Sequence, residues 1–120
     1  MGYEEERLSD CLFCKIVEGD IPSDKVLETS AALAFRDINP GAPTHVLVIP
    51  KRHVASIHDL ETTDADELAA VFEAIRQVAE LEGVADGYRV VTNVGATAGQ
   101  SVFHLHFHVL GGRPLEWPPG

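Results

Sequence analysis

Residues 102–110 read Val-Phe-His-Leu-His-Phe-His-Val-Leu. Histidine and apolar residues alternate with period two, which is the side-chain period of a β-strand. The alternation predicts a strand over 102–110 with His104, His106 and His108 on one face, successive positions standing about 7 Å apart. Phe103, Leu105, Phe107 and Val109 take the other face, which is apolar throughout and expected to pack beneath a helix. A merely solvated face would be served by Thr, Lys or Glu. Three histidines in register point to chemistry, because imidazole near neutral pH is both a nucleophile and, once protonated, a donor to phosphate oxygens.

The segments on either side suit that reading. Gly95 to Gly99 is a glycine-bearing loop, and Gln100 and Ser101 add an amide and a hydroxyl at the strand entrance, a setting in which backbone N–H groups approach a phosphate closely. Strands are expected at 26–27, 31–37, 45–49 and 88–93, with turns at Thr29–Ser30 and at Asn39-Pro40-Gly41. Ser9 or Asp10 is placed to cap a short helix over 11–17 that closes near Gly19. Thr62 or Thr63 is placed to cap the main helix, whose first turn carries Asp64, Asp66 and Glu67, where the helix dipole favours acids. Leu68, Val71, Phe72, Ile75, Val78 and Ala79 form its apolar stripe, and Gly83 ends it. Gly111-Gly112 breaks the final strand. These elements predict an α+β fold, an antiparallel sheet of about five strands with one long and one short helix. Residues 1–8 read as a flexible acidic tail, and 9–120 as one domain.

Composition narrows the function. Net charge is −10, from 9 Lys and Arg against 19 Asp and Glu among 120 residues. A nucleic-acid polymer or an anionic membrane needs a basic surface, so neither is an expected partner. One phosphate needs only a few local donors, so a small nucleotide remains open. No secretory signal or membrane-length apolar run is apparent, position 6 is Glu where a myristoylation motif needs Ser or Thr, and a reducing cytoplasm is the expected compartment. Cys11 and Cys14, spaced C-x-x-C, are too few for a disulfide framework and have the spacing of half a tetrahedral zinc site. Asp37, at a strand end, suits a sugar contact or a turn cap.

His104-Leu-His106-Phe-His108-Val-Leu110 resembles the signature of the histidine triad family, His-x-His-x-His followed by two hydrophobic residues. Further resemblance lies in Phe35-Arg-Asp37-Ile-Asn-Pro, in Pro43-Thr-His45-Val-Leu-Val-Ile-Pro-Lys-Arg-His53 and in Gly99-Gln-Ser101. The closing Gly111-Gly-Arg and Trp117-Pro-Pro-Gly120 are similar to the histidine triad nucleotide-binding branch. The resemblance implies that His106 attacks the α-phosphorus to form a nucleotidyl-histidine, while His108 binds phosphate oxygens and His45 supports both. It implies that Asp37 holds the ribose, that Ile38, Phe13 and Ile16 line the base pocket, and that Asn93, Gly99, Gln100 and Ser101 position the phosphate and leaving group. It implies a homodimer, with Trp117 near the partner's site, and purine nucleoside phosphoramidates (AMP or GMP joined to an amine) as substrates. A dinucleoside polyphosphate hydrolase is the alternative, followed by a non-enzymatic nucleotide-binding or scaffold protein; the intact triad speaks against a nucleotidyl transferase. Bacterial-type members carry the cysteine pair, which makes Cys11, Cys14, His53 and His104 the expected ligands of a structural zinc, with His45 or His58 as replacements for His53.

Overall fold

Two strands buried on both faces organise the chain. In the computed structural model, which describes residues 10–120, β2 (Ala32–Arg36) and β3 (Thr44–Pro50) pair antiparallel, with Leu33 opposite Ile49 and Phe35 opposite Leu47. Their residues are apolar nearly without alternation, and the structure shows why. Ala32, Ala34, Val46 and Val48 pack on one side of the sheet, and Leu33, Phe35, Leu47 and Ile49 on the other. β1 (Lys25–Glu28) lies outside β2, β5 (Phe107–Gly111) lies beside β3, and β4 (Tyr88–Val91) closes the edge, giving the antiparallel order β1-β2-β3-β5-β4.

Each face carries one helix. α2 (Ala65–Leu81) lays Val71, Ala74, Ile75 and Val78 against Ala34, Val48, Phe107 and Val109. α1 (Leu12–Glu18) covers the opposite face with Phe13 and Ile16 against Phe35 and Leu47. Among the described residues, the expected five-stranded α+β architecture with one long and one short helix is therefore the observed one. Gly19 (φ 85°) and Gly83 (φ 73°) follow the two helices in the left-handed conformation that glycine adopts without penalty, as their places in the sequence suggested.

Several local expectations are corrected. The last strand begins at Phe107, not at 102, because its neighbour β3 ends on Pro50, which has no N–H to extend the ladder. Leu105 instead donates its N–H to the Val54 carbonyl. Phe103 does not join the apolar face: it is exposed, while Leu105, Phe107 and Val109 are buried under α2. Phe72 is likewise exposed, with its ring packed against that of Phe107 at 5.5 Å. Thr62 and Thr63 do not cap α2. They lie in a single 3-10 turn, Thr62–Asp64, in which Glu61 and Asp64 exchange side-chain and backbone hydrogen bonds. α1 is capped by the Cys11 sulfur, which accepts the Cys14 N–H, not by Asp10; Ser9 and the acidic segment 1–8 lie outside the described residues. No helix among the described residues is long and apolar enough to cross a membrane.

Candidate functional site

The cross-sheet register places Phe35, Leu47 and His108 in one line on the α1 face, since Phe35 pairs with Leu47 and Leu47 with His108. α1 does not cover that whole line, and a cavity of about 500 Å³ remains between helix and sheet. His106, His108 and Ser101 line one part of it; Phe13, Ile16, Asp37 and Ile38 line it too. These seven expected site residues are brought together. Asn93, Gly99 and Gln100 are not among the lining residues. Gln100 is buried and its amide is fully engaged within the protein: Oε1 accepts from Gly95 N–H, and Nε2 donates to the Ala55 and Val102 carbonyls. Its contribution is the shape of the loop that presents Ser101.

The three histidines part company where the ladder stops. His106 Nδ1 lies 2.7 Å from the carbonyl oxygen of His104, so Nδ1 carries the proton and Nε2 keeps its lone pair. The Phe13 ring packs edge-on against it at 5.1 Å and the His108 ring at 5.0 Å. Burial, foremost, holds the His106 imidazole below its ordinary pKa of 6.5. A neutral, oriented imidazole with one free nitrogen is the form a nucleophile requires.

His108 is set by a chain of bonds that begins outside the cavity. The Gly41 N–H donates to His45 Nδ1 at 2.8 Å, and a backbone amide can only donate, so His45 must carry its own proton on Nε2. That nitrogen lies 2.9 Å from His108 Nδ1, which therefore accepts. His108 is left with its proton on Nε2 as a donor to an anion. Burial, then the neighbouring charges of His106 and His45, lower its pKa to about 4. The Gly41 peptide is itself held by Arg113, whose Nη2 donates to the Gly41 carbonyl at 2.9 Å. Neither Gly41 nor Arg113 was visible as a functional residue in the sequence.

Asp37 fulfils the turn role directly: its Oδ1 accepts the Asn39 N–H at 2.8 Å, while Oδ2 faces His45 Nε2 at 3.4 Å. Asp37, His45 and His108 thus gather three groups with metal-ligand chemistry. A cation does not suit them, because the Gly41 amide obliges His45 Nε2 to hold a proton where a ligand needs a lone pair.

A second cluster does suit a metal. Cys11, Cys14, His53 and His104 bring their donor atoms within 4.8 Å of one another, and His45 and His58 stand outside this group. His104 is fully buried and its Nε2–H donates to the Pro50 carbonyl at 2.8 Å, which leaves the Nδ1 lone pair toward the sulfurs. The Sγ-to-Nδ1 distances are 3.5 Å for Cys11–His104, 3.6 Å for Cys14–His104 and 3.3 Å for Cys14–His53. Donors sharing one tetrahedral zinc-sized ion, with bonds near 2.3 Å to sulfur and 2.0–2.1 Å to nitrogen, stand about 3.5 Å apart. Burial and the adjacent Cys11 push the Cys14 thiol up to about 12, so the protein alone does not favour a thiolate there, whereas a cation would. His104 consequently turns away from the cavity, and the expected single-face row becomes two sites that share a backbone.

The pKa shifts fix the sign of a pH effect. Activity that needs neutral imidazoles is lost as pH falls through their folded-state values, and His108 is held at about 4, well under the ordinary 6.5. We expect the acid limb of a kcat/KM profile for nucleotide conjugates to have its midpoint below the ordinary imidazole value of 6.5; a midpoint at or above 6.5 contradicts the buried, neutral arrangement.

Comparison with known proteins gives a consistent picture. The family model described as the HIT domain matches residues 18–115. An uncharacterized HIT-like protein of Synechococcus elongatus is 45% identical over 111 residues, 92% of this chain and 97% of that protein. A HIT family hydrolase from Legionella pneumophila has a structure that superposes with a TM-score of 0.90 at 50% identity, covering 92% of this chain and all of the other. A histidine triad nucleotide-binding protein from Candida albicans superposes with a TM-score of 0.78 at 35% identity, covering 91% and 83% of the two chains.

Proposed function

The chain belongs to the HIT domain family, and from that premise we propose that it is a hydrolase of the nucleotide-binding branch, cleaving purine nucleoside phosphoramidates through a covalent nucleotidyl-histidine. The observation that carries this reading is the His106 tautomer. A ring nitrogen with its lone pair free, in a buried imidazole kept neutral, lies on a cavity beside a second histidine poised to donate. The closing Trp117-Pro-Pro-Gly120 and the likeness to the Candida albicans protein support the branch.

In this mechanism the phosphate sits against His106 and His108. His106 Nε2 attacks the α-phosphorus, a bond from nitrogen to phosphorus forms, and the bond from phosphorus to the amine breaks. The amine takes up a proton from water at the mouth of the cavity, where Ser101 is exposed, and leaves as the neutral amine. The His108 Nε2–H stabilises charge on the phosphoryl oxygens. Water then attacks the same phosphorus, the bond from phosphorus to His106 Nε2 breaks, the proton of the attacking water passes to solvent, and the nucleoside monophosphate is released. Asp37 takes the ribose, and Phe13, Ile16 and Ile38 the base. A structural zinc held by Cys11, Cys14, His53 and His104 belongs to the same reading. Four protein ligands leave it no open position, so it would fix α1 to the sheet and would not activate water.

The test is direct competition between substrate classes. The protein is expected to release AMP or GMP from a phosphoramidate faster than from a dinucleoside polyphosphate at equal concentration. Faster cleavage of the polyphosphate contradicts the phosphoramidase reading, and no cleavage of either contradicts hydrolysis altogether.

A further inference from the structure

Ser23 carries the one buried side-chain nitrogen or oxygen among the described residues that has no hydrogen-bond partner, and Ser23 lines the cavity. Buried hydroxyls without partners are uncommon and call for a reason. The register supplies one. Reading across the α1 face from β5 toward β1, His108 is followed by Leu47, then Phe35, then Lys25. Three strand spacings separate the two ends, roughly 14 Å. Pro22, Ser23 and Asp24 enter β1 at the far end of that line, and all three line the same cavity. A nucleoside monophosphate with its phosphate at His106 and His108 therefore extends its base over Leu47 and Phe35, toward Ser23.

Ser23 is the polar side chain there that no protein group engages; its oxygen is closed to water, so contact with a base requires a turn about its Cα–Cβ bond toward the cavity. The neighbouring Asp24 carboxylate faces Arg36 Nε at 3.3 Å, and Arg36 is further paired with Glu82. A hydroxyl can donate to a ring nitrogen and accept from an exocyclic amino group, which is the pattern that a purine edge displays.

We propose that the Ser23 hydroxyl contacts the polar edge of a purine base and is a specificity-determining residue of this site. The proposal rests on the nucleotide reading and extends it to base recognition. Its test is calorimetric titration of the full chain and of Ser23→Ala with AMP, GMP and ribose 5-phosphate. One neutral hydrogen bond predicts a loss of roughly three- to ten-fold in affinity for whichever purine nucleotide binds the unmodified protein better, with ribose 5-phosphate unchanged. Ser23→Thr, which keeps the hydroxyl, is expected to retain most of the nucleotide affinity. Equal nucleotide affinity in the unmodified protein and Ser23→Ala overturns the role of Ser23 and leaves the nucleotide reading intact. An equal loss for ribose 5-phosphate overturns it as well, by showing a general disturbance of the cavity. Binding of AMP and GMP no better than ribose 5-phosphate by the unmodified protein overturns the nucleotide reading, and this proposal with it.

Discussion

His106→Asn is expected to lower turnover of a nucleoside phosphoramidate by at least about a thousandfold while nucleotide binding changes little. The asymmetry follows from what each atom of His106 does. Its Nδ1–H serves the fold through the His104 carbonyl, and an asparagine amide can donate a comparable bond. Its Nε2 serves the reaction, and an amide nitrogen is no nucleophile. Phe13 packs edge-on against the ring, and the smaller side chain leaves that contact looser without removing the cavity walls. His108 cannot substitute, because its Nδ1 is occupied by His45 and its Nε2 carries the proton. Steady-state kinetics paired with AMP titration checks both halves. Turnover near that of the unmodified protein takes the nucleophile's role away from His106.

The second large effect concerns the Cys/His cluster. Zinc near one equivalent per chain is expected in protein purified without added metal, falling to a small fraction in a Cys11→Ser/Cys14→Ser variant. If free zinc stands about a thousandfold above its dissociation constant, binding stabilises the fold by about 4 kcal/mol. For a domain of this size that corresponds to a fall in Tm on the order of 10–15 °C when the metal is removed. Binding requires both sulfurs as thiolates, and burial holds Cys14 at about 12 in the metal-free protein, so affinity is expected to weaken as pH falls. Elemental analysis and thermal melts with and without a chelator decide the matter. Protein free of zinc, and unable to take it up when supplied, contradicts the assignment. Loss of the metal is also expected to reach catalysis, because Phe13 lies between the two cysteines in the chain and touches both His104 and His106.

The sequence made the chemistry more legible than its geometry. Composition and period located the five strands and the two α-helices of the described residues, because strands such as 45–49 and the stripe from Leu68 to Ala79 carry their partners' faces in their own pattern. The alternation at 102–110 misled for a physical reason: period two describes where side chains point, whereas a strand also needs a partner, and Pro50 ends the partner. The same event separates His104 from His106. The roles of Gly41, Arg113 and Ser23 depend on which residues face one another across the sheet and between loops, and no local pattern encodes that. Gln100 shows the converse. Its place beside Ser101 suggested a ligand contact, yet its amide closes three hydrogen bonds inside the protein.

The central claim is that His106 becomes covalently nucleotidylated. Rapid mixing of the protein with an adenosine phosphoramidate, quenching within a turnover and intact-mass spectrometry tests it most directly. The expected result is one adenylyl group per chain, located on His106 by fragmentation, appearing and decaying with AMP release and absent from His106→Asn. Full turnover with no adduct at any quench time, or an adduct that persists in His106→Asn, would contradict it.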